Sequence, residues 1–244
     1  MHPVICTIGP FSIYSYGLML VLAFITSTSL MAMQAKRQNI DTEAIFNFSF
    51  TAFVSGVIGA RIFYVLDNPG YYIKNPLEII MLQHGGLSWF GGLMLGSAAG
   101  IIYLKKKKLP VYRTLDFIIP YVALAQAIGR IGCLFNGCCF GKISQTSGMY
   151  FEVHNALLIP TQLYSSLAML AIYVILRLLQ NKPRPQGTIF FTYLFLYSIK
   201  RFTIEFWRQD NEIIFHGLTL FQALSVILFV LSVSKLLLIK ISRH

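Results

Sequence analysis

Arg130 and Arg201 lie inside apolar segments that are long enough to cross a membrane. Arg130 falls within the stretch from Leu115 to Phe135, and Arg201 within the stretch from Gly187 to Phe206. A guanidinium at membrane depth is costly in free energy, and such a residue usually acts on a charged group. Its planar fork of donors matches the oxygens of a phosphate. The two arginines therefore predict a buried anion site that suits a lipid phosphate.

Small and polar residues surround Arg130 in the stretch from Gly129 to Lys142. Glycines let a backbone approach a ligand closely, and Asn136 adds hydrogen-bond donors at the end of the apolar segment. Considered alone, this stretch is better explained as a glycine-rich helix end with one snorkelling arginine.

A row of charges follows Arg201. The spacing of four and then three residues puts Arg201, Glu205 and Arg208 on one helical face. This row could clamp an anionic group, with Glu205 orienting Arg201. A structural ion pair that neutralises itself explains the same spacing, and the two interpretations are compatible.

Three cysteines, Cys133, Cys138 and Cys139, cluster near the end of the same segment as Arg130. Together with His154 they could hold a metal, but a five-residue gap followed by an adjacent pair differs from the usual zinc spacing. We therefore predict no metal site. A disulfide in an oxidising compartment and simple packing of small side chains both stay open.

The composition places these residues in an integral membrane protein. Of the 244 residues, 56% are apolar and only 12% are charged, which leaves too little polar surface for a soluble domain of this size. A helix needs about 20 residues to cross the hydrocarbon. We predict an all-α fold in one membrane-embedded domain, with seven transmembrane helices. The spans are Tyr14 to Gln34, Ile45 to Leu66, Gly85 to Leu104, Leu115 to Phe135, Gln162 to Leu179, Gly187 to Phe206 and Leu218 to Ile239.

Basic residues set the predicted orientation. Most of the 20 Lys and Arg residues lie at one set of span ends, which the positive-inside rule assigns to the cytoplasm. The N-terminus is then outside and the C-terminus cytoplasmic, and the loop from Gly137 to Pro160 forms a small outward-facing cap. Because this rule explains the net charge of +11, the charge does not indicate nucleic-acid binding.

These motifs resemble the prolipoprotein diacylglyceryl transferase family of bacterial inner membranes. The stretch from Gly129 to Lys142 is similar to the family signature G-R-x-G-N-x-x-N-x-E-x-x-G, and the row from Arg201 to Arg208 is similar to its late R-x-x-x-E-x-x-R. Further matches, in the same order, are Tyr16-Gly17, Gly59-Ala60-Arg61, Gly85-Gly86-Leu87-Ser88, Gly91-Gly92, Asp116, Pro120 and Pro160-Thr161-Gln162-Leu163-Tyr164. The resemblance runs from about Tyr16 to Arg208, and so many motifs in order are specific.

The resemblance implies a multi-pass enzyme of the bacterial inner (cytoplasmic) membrane. Members transfer the diacylglyceryl group of phosphatidylglycerol to the lipobox cysteine of a preprolipoprotein, forming a thioether and releasing glycerol phosphate. The implied partners are phosphatidylglycerol, preprolipoprotein signal peptides and membrane lipids, with no nucleic acid, cofactor or metal. Arg130 and Arg201 are expected to be catalytic, as donors that stabilise the leaving phosphate. The residues expected to contact substrate are Tyr16, Arg61, Asn136, Gly141, Glu205 and Arg208.

Several polar residues of the family pattern are replaced. Phe90 stands where the family often has a histidine regarded as a candidate base. His84 lies six residues earlier, which on a helix is about 600° of rotation and about 9 Å of rise, so it does not take that place. Cys133 and Cys138 replace an Asn and a Glu of the signature.

Three explanations of these replacements are open. The arginines alone could ionise the substrate thiol. Cys133 or Cys138 could take part in the chemistry of a divergent transferase. The chain could also be a relative that binds phospholipid without catalysis, and from another class of protein, an envelope thiol oxidoreductase would use Cys138 and Cys139. We favour a transferase in which the arginines suffice.

Overall fold

The computed structural model describes residues 4–8, 11–81, 85–146, 148–208, 213–215 and 217–241. Helices dominate these residues, which confirms the all-helical membrane class. The helices are α1 (Ser15–Arg37), α2 (Thr42–Asp67), α3 (Pro69–Lys74), α4 (Trp89–Lys106), α5 (Val111–Asn136), α6 (Thr161–Gln180), α7 (Thr188–Glu205) and α8 (Leu220–Ile241). Short 3-10 helices cover Pro76–Ile79 and Glu152–His154.

The part of the chain that the structure describes also contains three small antiparallel strand pairs, which the all-α prediction did not include. They are β1 (Val4–Ile8) with β2 (Phe11–Tyr14), β3 (Met149–Phe151) with β4 (Ala156–Leu158), and β5 (Ile213–Phe215) with β6 (Leu218–Thr219). In the second pair, Met149 lies opposite Leu158 and Phe151 opposite Ala156. Each strand has five residues or fewer, and the apolar pattern of such short segments carries little strand signal.

Among the described residues, five helices are long and apolar enough to cross a membrane, namely α1, α2, α5, α6 and α8. Each of the seven predicted spans coincides with a long helix, and the ends differ by four residues or fewer. The two shorter helices, α4 and α7, have 18 residues each and include charged ones. The described residues thus support a multi-pass membrane protein, and the seven-span count and the orientation stay predictions.

The chain divides into two compact units. One comprises Thr28–Val111, and the other comprises Met1–Ser27 together with Tyr112–His244. In the first unit, glycines of α2 and α4 face each other at backbone distance. A Cβ built on Gly59 would lie 2.5 Å from the carbonyl oxygen of Gly91. Glycine is required at this contact because helices in lipid associate by close backbone packing.

The core of the second unit lies between α5, α6 and α7. Ala123 of α5, Met169 and Leu176 of α6, and Tyr193 of α7 are buried there. The hydroxyl of Ser166 donates to the carbonyl oxygen of Ala127 at 2.8 Å, which ties α6 to α5. On its other side α7 packs against α8. This bundle holds the ends of its helices in fixed positions.

Asp116 of α5 caps the start of α7. Its carboxylate accepts hydrogen bonds from the backbone N–H groups of Gly187 at 2.6 Å and Phe190 at 2.8 Å. The first N–H groups of a helix have no partner within the helix. Asp116, one of the family matches, therefore joins the two helices that carry Arg130 and Arg201.

Replacing Asp116 by alanine should destabilise the protein. The variant leaves two N–H groups of α7 without their carboxylate, and loss of a helix cap costs about 0.5–2 kcal/mol. We expect a lower melting temperature for purified Asp116→Ala in detergent, with a smaller decrease for Asp116→Asn, which keeps one acceptor oxygen. An unchanged melting temperature for Asp116→Ala would contradict this role.

Candidate active site

Several helix ends meet around Arg130 in the unit that contains α5 to α8. Tyr16, at the start of α1, has a ring carbon 3.5 Å from a Cβ built on Gly132, near the end of α5. The loop after α5 is hydrogen-bonded to the start of α6 and to the end of α7. The matches at Tyr16, Arg130, Thr161 and Arg201, widely separated in sequence, thus belong to one site.

Four cations share this site. Arg130, Lys200, Arg201 and Arg208 lie close enough to influence one another electrostatically. Arg130 and Arg208 are half-buried, and Arg201 is 8% exposed. Like charges gathered in a region of low dielectric favour the binding of an anion that neutralises them. The structure therefore groups both predicted catalytic arginines, with Arg208, in a strongly positive site.

Arg201 is held by an ion pair and by an aromatic ring. Its Nη1 lies 3.0 Å from Oε2 of Glu205, and its guanidinium carbon lies 4.2 Å from the centre of the Phe221 ring. Oε1 of Glu205 accepts a hydrogen bond of 2.8 Å from the hydroxyl of Thr219. Glu205, expected to contact substrate, is only 3% exposed and instead positions Arg201.

The three cysteines converge beside Arg130. The sulfur atoms of Cys133, Cys138 and Cys139 all lie within 4.8 Å of one another. Tyr16 and Arg130 are within electrostatic range of this thiol cluster. Asn136 hydrogen-bonds with the side chain of Cys138. Two of the residues expected to bind substrate, Tyr16 and Asn136, therefore lie near the cluster.

Backbone geometry explains how two adjacent cysteines face the same point. Cys139 has a φ of 61°, a left-handed conformation that residues with a side chain rarely adopt. Thr161 donates to the carbonyl oxygen of Cys139 at 2.7 Å, and Gln162 donates to that of Cys138 at 2.6 Å. Hydrogen bonds from the other two thiols and the positive charges of Arg130 and Arg208 lower the pKa of Cys139. The hydrogen bonds from Thr161 and Gln162 thus hold the loop that brings the three thiols together.

His154, the other candidate metal ligand, lies against the loop that follows α5. Its Nε2 is 2.9 Å from the carbonyl oxygen of Gly137, and its ring centre is 4.1 Å from that of Phe140. Within the described ranges, the sulfur cluster does not include His154.

Gly141 permits a close approach of backbone rather than of substrate. Its N–H donates to the carbonyl oxygen of Ile159 at 2.9 Å, and the next residue, Lys142, donates to that of Trp207 at 2.8 Å. A Cβ on Gly141 would lie 2.6 Å from the Trp207 carbonyl oxygen and 2.8 Å from side-chain carbons of Ile159 and Thr161. This glycine joins the ends of α5, α6 and α7.

Alanine at position 141 should therefore separate these three segments. Because the nearest atom is a backbone oxygen, the strain cannot be relieved by rotating a side chain, and overpacking of this kind costs about 1–3 kcal/mol. We expect a lower melting temperature and a lower transferase rate for Gly141→Ala. Gly129→Ala is the matched control, because a Cβ there meets nothing within 4 Å and its melting temperature should be preserved. Equal melting temperatures for the two variants would exclude this role.

Arg61, expected to contact substrate, has a different role in the unit Thr28–Val111. It is 6% exposed, and all five of its N–H groups donate to backbone carbonyls. The acceptors are Glu78, Ile79, Met81, Gly85 and Gly86. Every donor that a phosphate would need is already used. The geometry thus assigns Arg61 to holding the chain that precedes α4.

The hydrogen bonds from Arg61 to the carbonyl oxygens of Gly85 and Gly86 explain part of the Gly85-Gly86-Leu87-Ser88 motif. Gly85 and Gly86 both have a φ of 80°, and a Cβ on Gly86 would lie 2.4 Å from the Tyr64 ring. Phe90, which the resemblance places at the family's histidine position, is the second residue of α4 and is 38% exposed. His84 lies outside the described residues.

Lys200 was not among the predicted site residues. It is 8% exposed, and its ammonium lies 4.8 Å from the centre of the Tyr197 ring. It also lines a mainly apolar cavity of about 730 Å³ beside α6 and α7, together with Tyr164, Ile172 and Trp207. The signal was present in the sequence, since Lys200 falls inside the same apolar span as Arg201.

The helices and this site define a multi-pass membrane protein with a cluster of buried and half-buried cations near the ends of its helices. A family model described as "Prolipoprotein diacylglyceryl transferase" matches residues 3–238. The chain belongs to the prolipoprotein diacylglyceryl transferase family.

Curated relatives cover almost the whole chain. A phosphatidylglycerol–prolipoprotein diacylglyceryl transferase of Streptococcus agalactiae is 33% identical over 255 aligned residues, which cover 100% of this chain and 98% of the relative. Proteins of the same name from Streptococcus mutans and Clostridium tetani are 34% and 32% identical. These alignments cover 96% and 86% of this chain, and 93% and 86% of the relatives.

Proposed function

We propose that this protein transfers the diacylglyceryl group of phosphatidylglycerol to the lipobox cysteine of preprolipoproteins, forming a thioether and releasing glycerol phosphate. The observation that carries the proposal is the convergence of Arg130, Arg201 and Arg208 beside an apolar cavity. A phospholipid has both parts that such a site recognises, an anionic headgroup and apolar chains. Similarity over the full chain to relatives named for this reaction supports the same conclusion.

In the reaction, the lipobox cysteine releases its thiol proton to water, and its sulfur attacks the glycerol carbon that bears the phosphate. A sulfur–carbon bond forms, the carbon–oxygen bond breaks, and its electron pair leaves with glycerol phosphate. Negative charge grows on the phosphate oxygens during this step. Fixed guanidinium groups in a low-dielectric site stabilise that charge without reorganising. We assign this task to Arg130 and Arg201, with Arg208 and Lys200 adding to the positive field.

The cavity beside α6 and α7 suits an acyl chain of the lipid donor. Its walls are mainly apolar, and Lys200 lies both on the cavity lining and within electrostatic range of the three arginines. Burying a CH₂ group is worth about 0.8 kcal/mol, so even part of an acyl chain would contribute several kcal/mol to binding. The donor would then lie with its chains in the cavity and its phosphate toward the arginines.

The orientation that the positive-inside rule predicts would put the site at the outer side of the membrane. With the N-terminus outside and seven spans, the starts of α1, α6 and α8 and the ends of α5 and α7 all face outward. These are the helix ends that form the site. We therefore propose that the reaction takes place at the outer side of the bacterial inner membrane, where the segment 137–160 caps it.

The test is transfer to a defined acceptor. Purified protein is incubated with phosphatidylglycerol and a peptide that contains a lipobox, and mass spectrometry is used to look for a diacylglyceryl adduct on the cysteine. We expect the adduct with phosphatidylglycerol, and none with phosphatidylcholine or with a peptide whose cysteine is replaced by serine. If phosphatidylglycerol binds but no adduct forms, while the Streptococcus mutans relative modifies the same peptide, the chain is a phospholipid-binding relative and the proposal is wrong.

A further inference from the structure

We propose that Cys133, Cys138 and Cys139 bind one Zn²⁺ ion and leave its fourth position open for the thiol of the acceptor peptide. The inference concerns how the acceptor is activated, and it rests on the proposed transferase function for its chemical role. The metal site itself can be measured without the reaction.

The sulfur positions fit a single zinc ion. A Zn–S bond is about 2.3 Å long, so sulfurs on a tetrahedral zinc are about 3.8 Å apart. The three sulfurs lie within 4.8 Å of one another, so an ion requires only small side-chain adjustments. The sequence spacing argued against a metal, because a five-residue gap followed by an adjacent pair differs from the usual zinc spacing. Adjacent side chains also tend to point apart in extended backbone. The left-handed backbone at Cys139 removes that objection.

The surroundings hold the ligands in place. Thr161 and Gln162 fix the carbonyl groups of Cys139 and Cys138, and both donors are almost fully buried. Contacts of this kind, one step beyond the ligands, orient metal sites and increase their affinity. Three thiolates and Zn²⁺ together carry a net negative charge, and the guanidinium groups of Arg130 and Arg208 lie within electrostatic range to offset it.

Three protein ligands with one open position are typical of a catalytic zinc site, whereas structural sites have four. A thiol that coordinates zinc is deprotonated. In the proposed step, the lipobox thiol binds the open position and its proton passes to solvent water. The sulfur electron pair then forms the bond to the glycerol carbon, while the carbon–oxygen electron pair leaves with glycerol phosphate at Arg130 and Arg201. Zinc is neither oxidised nor reduced.

Because the candidate base of the family is replaced in this chain, another group would help to activate the acceptor thiol, and a zinc ion could do so. Phe90 cannot accept a proton, and it stands where relatives often have the candidate base. Cys133 and Cys138 occur at two other positions where the family pattern has polar side chains. A thiol-bound metal ion would replace general-base help, which is typically worth about 10²–10⁴-fold in rate.

Metal content is the first test. The full chain is purified in detergent under reducing conditions without chelator, and zinc is measured by mass spectrometry. We expect about one zinc per chain, as for a mononuclear site. The triple variant Cys133→Ser, Cys138→Ser, Cys139→Ser should contain none, and Cys6→Ser, which changes an exposed cysteine outside the cluster, should keep it. Cobalt added to metal-free protein should produce thiolate-to-cobalt absorption in Cys6→Ser and in the unmodified protein only.

Transfer is the second measurement. Chelation that removes the zinc should lower the rate of adduct formation by at least about 100-fold, and added Zn²⁺ should restore it. Retention of zinc by the triple variant would overturn the proposal, as would a disulfide among the three thiols of the freshly purified protein. An unchanged rate in verified metal-free protein would also overturn it. Zinc bound by the cluster without any adduct would support the metal site while refuting the proposed reaction. Melting curves of all variants separate metal loss from misfolding.

Discussion

Arg201→Ala and Arg130→Ala should each lower the rate of thioether formation by about 10²–10³-fold, the usual effect of removing one preorganised donor to a developing charge. Arg201 is the more sharply positioned of the two, since Glu205 and the Phe221 ring hold its guanidinium. The rate is measured as diacylglyceryl adduct formed on a lipobox peptide at saturating phosphatidylglycerol. Arg201→Lys should recover only part of it, because a lysine lacks the planar fork.

Two controls separate catalysis from charge and from folding. Arg37→Ala removes an exposed arginine at the end of α1 and should retain the rate. Melting temperatures and phosphatidylglycerol binding are measured on the same preparations. A decrease of less than about tenfold in well-folded Arg130→Ala and Arg201→Ala, equivalent to about 1.4 kcal/mol, would remove these residues from the chemical step.

Glu205→Ala should have the second large effect, on stability as well as on rate. It leaves the buried Arg201 without its ion-pair partner, and breaking a buried pair in this way costs about 3–5 kcal/mol. It also frees the guanidinium to move away from the position that it holds beside Glu205. We expect a large decrease in melting temperature and a decrease in transfer rate that approaches that of Arg201→Ala.

A double substitution distinguishes the structural from the functional part of this pair. Arg201→Met with Glu205→Met replaces both charges by apolar groups of similar length, which is often neutral for stability. This variant should regain much of the melting temperature lost in Glu205→Ala and still be inactive. Thr219→Val removes one hydrogen bond to Glu205, at a cost of about 1 kcal/mol, and should retain most of the rate. A double variant that regained the rate together with the stability would show that the pair is only structural.

The contacts of the thiol cluster and of Gly141 could not be predicted from the sequence. The signature stretch showed that cysteines and a glycine follow Arg130, and the spacing of the cysteines suggested no metal. The three sulfurs converge because Cys139 adopts a left-handed backbone and because Thr161 and Gln162 hold the loop. A sequence does not encode such a conformation in a local pattern, since hydrogen bonds from residues more than 20 positions away impose it.

By itself the sequence determined the membrane class, the positions of the long helices and the presence of arginines at membrane depth. These properties depend on hydropathy and charge along short stretches, and a lipid environment makes that local signal strong. The family motifs added the chemistry that these arginines serve.

Only the tertiary structure decided what each polar residue contacts. Arg61 and Arg201 look alike in sequence, as arginines within apolar spans. The five N–H groups of Arg61 are all used by carbonyls of residues 78–86, whereas Arg201 faces Glu205 beside the other cations. A guanidinium has a fixed number of donors, so its function depends on which partners the folded chain brings within reach.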